Sequence, residues 1–239
     1  MMRAIVLAAV LLTACAAGPK ATVGPESIVV MRGERPVPVT LYRPDATGPA
    51  PLAILSPGYG MEATAYSFIA DALRARGYLV AAVTQVLSSD PPVPSGDNLY
   101  VRRMPSWMEG VANTDAVIAA LEARGEIAAG APVVMIGHSH GGDIAMLFAR
   151  ERPARVAAAV SLDNRRMPLP RTAKPRICSA RSVDLAADPG VLPSVDEQAA
   201  LGMLIRPVAA AHNDMWDGAT AAQKAEMLGV IAACLPSRP

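Results

Sequence analysis

Aromatic side chains are scarce: Phe, Trp and Tyr together make up 4% of 239 residues, with only 2 Phe and 2 Trp. That excludes a stacking platform for nucleic-acid bases. No charge of one sign accumulates. Lys and Arg number 22 against 21 Asp and Glu, a formal net charge of +1, and the concentrated basic patch that a phosphate backbone needs is missing. Histidine is confined to positions 138, 140 and 212, and cysteine to 15, 178 and 234. None of these spacings resembles a zinc ligand set, and there is no dinucleotide or Walker fingerprint, so neither metal nor cofactor is expected. What the chain has in quantity is apolar. At 52% hydrophobic and 18% charged, it can bury the full core of one domain.

Long apolar runs are also rare, and the chief one lies at the start. Ala4–Ala14 follows Arg3 and falls short of the roughly 20 residues that span a bilayer, so it reads as the core of an export signal. The segment "LTAC", Leu12–Cys15, resembles the lipobox of bacterial lipoproteins. That resemblance implies removal of residues 1–14, lipidation of the Cys15 thiol and tethering to a membrane of the cell envelope, with residues 15–26 as the tether. An ordinary secretion signal, cut slightly later, is the alternative. Export places Cys178 and Cys234 in an oxidising setting, where they either pair or remain two buried thiols.

From residue 27 to 239 the pattern is strands first, then alternation. The segments 27–32 and 37–44 alternate apolar and polar residues around "GERP" and predict a hairpin-like pair. Six short apolar runs follow: 51–57, 77–85, 131–137, 155–163, 174–182 and 203–211. Such runs suit strands buried on both faces. Helical spacing occupies 64–77, ending at Gly77, and 113–125, with Asn113 or Thr114 as its cap. It recurs after position 139 and over 217–235. The expected class is α/β: a mainly parallel, doubly wound sheet of about eight strands with helices on both faces.

The stretch "VVMIGHSHGG", 133–142, carries the chemistry. A strand, a Gly-x-Ser-x-Gly turn and a helix would put Ser139 at the carboxyl end of the sheet, where open α/β folds bind ligands. Gly137 and Gly141 leave room for a tight turn. The first helical amides, including that of His140, point at the same space and suit a developing oxyanion. A serine used as nucleophile needs a base. His138 and His140 flank it with side chains directed away, which leaves His212 after the last strand pattern. The acid that orients this histidine comes from Asp184, nearest the end of strand 174–182, or from Asp188. Asp163, one strand earlier, is the third candidate. Asp217 reads as a helix cap.

The order Ser139, Asp184, His212 is that of the α/β-hydrolases. From about Ile28 to Leu235 the sequence resembles that superfamily, and within it secreted esterases and dienelactone-hydrolase-like proteins. The resemblance implies hydrolysis of small-molecule esters through a covalent acyl intermediate, and the chain is expected to act as a monomer. It assigns the oxyanion hole to the amides of Tyr59, in "SPGYG", and His140. Two departures stand out: Pro57 occupies a place where the family often has histidine, and serine replaces the cysteine nucleophile of dienelactone hydrolases proper. Amide or peptide hydrolysis by the same triad, and a non-catalytic binding lipoprotein, are the alternatives. With about ten residues between the sixth and seventh strand patterns, no large cap domain fits. The irregular stretch 86–110 is expected to wall the substrate pocket through Met104, Trp107 and Met108, with Met215 and Trp216 beside His212. Arg102 and Arg103 read as a solvated pair or as contacts to an anionic substrate.

Overall fold

The computed structural model describes residues 24–46 and 48–236; the export signal and Cys15 lie outside them. Eight strands form one sheet: β1 (Glu26–Arg32), β2 (Arg35–Tyr42), β3 (Leu52–Ser56), β4 (Leu79–Val83), β5 (Val133–His138), β6 (Val156–Leu162), β7 (Arg176–Arg181) and β8 (Leu204–Pro207). Their order is β1-β2-β4-β3-β5-β6-β7-β8. β1 and β2 pair antiparallel around Gly33, and β2 lies antiparallel to β4. All other neighbours are parallel.

Burial explains the strand sequences. Every residue of β3, β4 and β5 is buried, because helices cover both faces and leave no polar side. Alternation then sorts residues between two cores. Leu52 and Ile54 face Val111, Val117, Ile144 and Phe148 from α2 (Leu99–Ala123) and α3 (Ser139–Glu151). Ala53 and Leu55 face Ile69, Leu73, Met227 and Ile231 from α1 (Ser67–Ala75) and α5 (Ala221–Cys234). Each fully buried Leu or Ile contributes about 1.5–3 kcal/mol. A short α4 (Val195–Leu201) precedes β8. Between β6 and β7 only residues 163–175 intervene, so among the described residues that connection carries a loop and no cap domain.

Three local readings change. The helix expected over 113–125 begins at Leu99, with Pro105 inside it. Asn113 and Thr114, expected as caps, are buried mid-helix. Thr114 donates to the Gly110 carbonyl, and Asn113 bridges Arg32 and the Gln85 carbonyl. Asn113 thus serves tertiary contacts and Thr114 bonds back within its own helix, two uses of a polar side chain that a cap rule misreads. Asp217 does cap a helix, but α1: its carboxylate accepts from the amides of Ser67 and Phe68 at 2.9 and 3.0 Å. Cys178 of β7 and Cys234 of α5 are joined in a disulfide, with Cα atoms 6.1 Å apart.

Candidate active site

β5 runs straight into α3, and the junction is Ser139. Its φ is +50°, a left-handed conformation that side chains rarely adopt and that costs on the order of 1–3 kcal/mol. The neighbouring glycines make the turn possible. A Cβ on Gly137 would strike the Gly141 backbone, and one on Gly141 would strike the Ser56 carbonyl at the end of β3.

Ser139 Oγ lies 3.0 Å from His212 Nε2. Across the ring, His212 Nδ1 lies 2.6 Å from Asp163 Oδ2. With Nδ1–H donated to the carboxylate, Nε2 keeps its lone pair and accepts from the serine hydroxyl. Asp163 is the first residue after β6 and also has a left-handed φ, +54°, which aspartate tolerates better than most residues. It is wholly buried and has further partners: Arg181 at 2.8 Å, and the Ser182 amide and hydroxyl at 3.1 and 2.8 Å. Burial pushes its carboxyl up. The His212 bond, the Arg181 charge and the Ser182 donors outweigh that and hold it below the usual carboxylate range.

This corrects the sequence expectation. Asp184 does meet His212, but at the backbone: it accepts from the His212 amide at 2.7 Å. Asp188 sits beyond it, its amide donating to the Arg165 carbonyl. The physical reason is the turn at Asp163, which drives its carboxylate under the imidazole. At the end of β7, the strand expected to lead to the acid, stands Arg181, which completes the ion pair from the other side.

The other two histidines are buried and fully partnered. His140 Nδ1 accepts from Trp107 Nε1–H at 3.2 Å, which leaves Nε2–H for Ser106 Oγ at 3.2 Å. Burial above all, then Arg103 and Arg166, lower it to about 4. Its amide lies in the first turn of α3, where amides have no partner inside the helix. Tyr59 follows β3 in the facing loop, its ring set edge-on to His140 with centroids 6.2 Å apart. A cleft of about 470 Å³ opens between this loop, residues 84–88, Pro91 and Pro92, and His140.

None of the five expected pocket residues lines that cleft. Trp107 and Met215 are wholly buried, Met104 packs against the α2–α3 core, and Met108 and Trp216 are exposed. The stretch that carries Met104, Trp107 and Met108 is helix, and its inward face serves the core. Arg102 and Arg103 brace the proline-rich loop by donating to the carbonyls of Ser95 and Pro94.

Strand order, the strand–serine–helix junction and the histidine after β8 give the chain the α/β-hydrolase fold. A family model described as serine aminopeptidase, S33, matches residues 48–162. It spans the loop of Tyr59 and the Ser139 turn and stops one residue before Asp163. Similar solved structures include esterase 2 from Thermogutta terrifontis, phosphoramylated by tabun, at 15% identity and TM-score 0.62 over 93% of this chain and 100% of that one. A dienelactone hydrolase-like promiscuous phosphotriesterase from metagenomic libraries matches at 17% and 0.61, covering 88% and 96%. A dienelactone hydrolase from Klebsiella pneumoniae, itself described as putative, matches at 18% and 0.60, covering 88% and 97%. At these identities the likeness is one of fold. No curated protein sequence matches.

Proposed function

We propose that the chain is a serine hydrolase of small carboxylic esters, a monomer exported and held to the cell envelope by lipid on Cys15. One observation carries the catalytic reading: an unbroken contact path from Ser139 Oγ through His212 to the buried Asp163. Ser139 attacks the ester carbonyl while His212 Nε2 takes its proton, and Asp163 stabilises the imidazolium that forms. The amides of Tyr59 and His140 receive the oxyanion; one such donor is typically worth about 10²–10³ in kcat. His212 then returns the proton to the leaving alcohol. Water, activated by the same imidazole, frees the acyl group from Ser139. The cleft beside His140 takes one half of the ester. Its lining holds the carboxylates Glu62 and Asp90 and no Lys or Arg, which disfavours an anionic group there.

The test is hydrolysis of p-nitrophenyl acetate and butyrate by the wild type and by Ser139→Ala. Turnover that disappears in the variant, with fluorophosphonate labelling of Ser139, is the expected result. Absence of both turnover and labelling in the wild type would instead leave a binding lipoprotein. Amide hydrolysis is the second reading, favoured by the description of the matching family model. Faster turnover of aminoacyl p-nitroanilides than of the esters would select it.

A further inference from the structure

The mechanism leaves His138 and Tyr66 unused, although both are buried against it. Tyr66 closes the turn before α1 and is 1% exposed; His138 ends β5 and is 5% exposed. Their polar atoms form a directed path. The Gly58 amide donates to the Tyr66 oxygen at 3.0 Å, and the Tyr66 hydroxyl lies 2.7 Å from His138 Nδ1. On the far side of the ring, His138 Nε2 lies 2.9 Å from the His212 carbonyl oxygen. That carbonyl has no hydrogen to give, so Nε2 carries the proton and Nδ1 accepts from the hydroxyl. Every donor then meets an acceptor, from the loop before Tyr59 to the main chain of the base.

We propose that Tyr66 and His138 are positioning residues that tie the oxyanion loop to the main chain of His212, so that oxyanion donor and base are set as one unit. This rests on the reading of Ser139, His212 and Tyr59 as acyl-transfer machinery. Packing agrees: a Cβ on Gly58 would lie 2.8 Å from His138 Nδ1 and 3.3 Å from the Tyr66 oxygen, so the loop sits directly on the relay. The His138 and His212 rings are 5.0 Å apart. Asp184 completes the arrangement by holding the His212 amide from the opposite side, so both peptide groups of the base are clamped by side chains. Burial first, then the charge of His212, lower His138 to about 4, and burial raises Tyr66 to about 12. Both are therefore neutral at pH 7, the state in which the relay is complete.

The experiment compares the full-length wild type with Tyr66→Phe, His138→Gln and His138→Asn by steady-state hydrolysis of p-nitrophenyl acetate and by amide hydrogen exchange. Tyr66→Phe keeps the ring and deletes the link. Its kcat is expected to fall about ten- to a hundredfold with KM nearly unchanged, as for an interaction felt only in the transition state. Exchange should quicken both at residues 57–61 and at 211–216, although Tyr66 is bonded only to the first segment and to His138. Gln at 138 reaches the His212 carbonyl and should retain more kcat than Asn, which does not. An unchanged kcat in Tyr66→Phe, or quickened exchange confined to 57–61, overturns the relay. If Tyr66→Phe does not fold, Asn matching or exceeding Gln overturns it. An inert wild type would sink the ester reading, while the exchange pattern still decides the coupling.

Discussion

The loops that leave β6 and β7 each bring an aspartate to His212, and the two aspartates do different work. Asp163, at the very end of β6, is wholly buried, paired with Arg181 and bonded to the imidazole. Asp184, three residues beyond β7, lies exposed and bonds the backbone amide of the same histidine. A carboxylate that must stabilise an imidazolium acts strongly only where water does not screen it. Asp163 is in such a place because Arg181 and Ser182 compensate its burial. Asp184 has no such surroundings and steers the chain instead. Desolvation with compensating partners, not the choice of the strand nearest His212 in sequence, marks Asp163 as the carboxylate that meets the imidazole.

The sharpest break of this comparison exchanges the two carboxylates for amides. Asp163→Asn should lower kcat by about 10³–10⁴, since the wrong tautomer of His212 then faces Ser139. Asp184→Asn should cost less than about tenfold. Equal losses would erase the distinction between the loops.

Next in size is the disulfide, which fastens β7, the strand from which the Asp184 loop departs, to α5 across 56 residues of sequence. In the chain-entropy picture a loop of that length is worth about 4 kcal/mol. Cys178→Ser with Cys234→Ser should lower unfolding stability by about that amount while the contacts of Asp163 persist. Denaturant titration beside kcat would separate the two effects.

The smallest expected effect concerns pH. His138 and His140 are both lowered to about 4, burial being the main cause. Groups lowered in the fold stabilise it fully above their unfolded value, near 6.5, and lose that contribution as pH falls toward 4. Each accounts for up to about 3 kcal/mol. Asp143, raised to about 6 chiefly by burial, opposes them, because its contribution grows as pH falls below 6. Urea midpoints should therefore drop between pH 7 and 4.5, and the drop should be the same in Asp184→Asn. A midpoint that rises would mean that Asp143 dominates the buried wall.

Much of this was legible in the sequence. Six strands lie on the short apolar runs, and β1 and β2 lie where alternation predicts a hairpin; in β3, β4 and β5 two-sided burial leaves a plain compositional trace. Ser139 was marked by its glycines, and His212 by the shortage of histidines. Asp163 carried a local sign as well, a charged residue closing a run of buried ones, but its left-handed turn and its pairing with Arg181 are tertiary facts. The start of α2 was hidden by Pro105, which reads as a breaker, and by buried polar residues that look like caps. The role of His138 left no sequence signal, since its partners lie 72 and 74 residues away.

The closeness of Gly141 to the Ser56 carbonyl has a practical side for redesign. The Ser139 turn and the loop after β3 share a wall one backbone thick, so libraries that vary positions 137 or 141 will return mostly misfolded chains. The wall at Pro91 and Pro92, which faces the cleft from a braced surface loop, is where altered substrate preference can be sought without disturbing that shared wall.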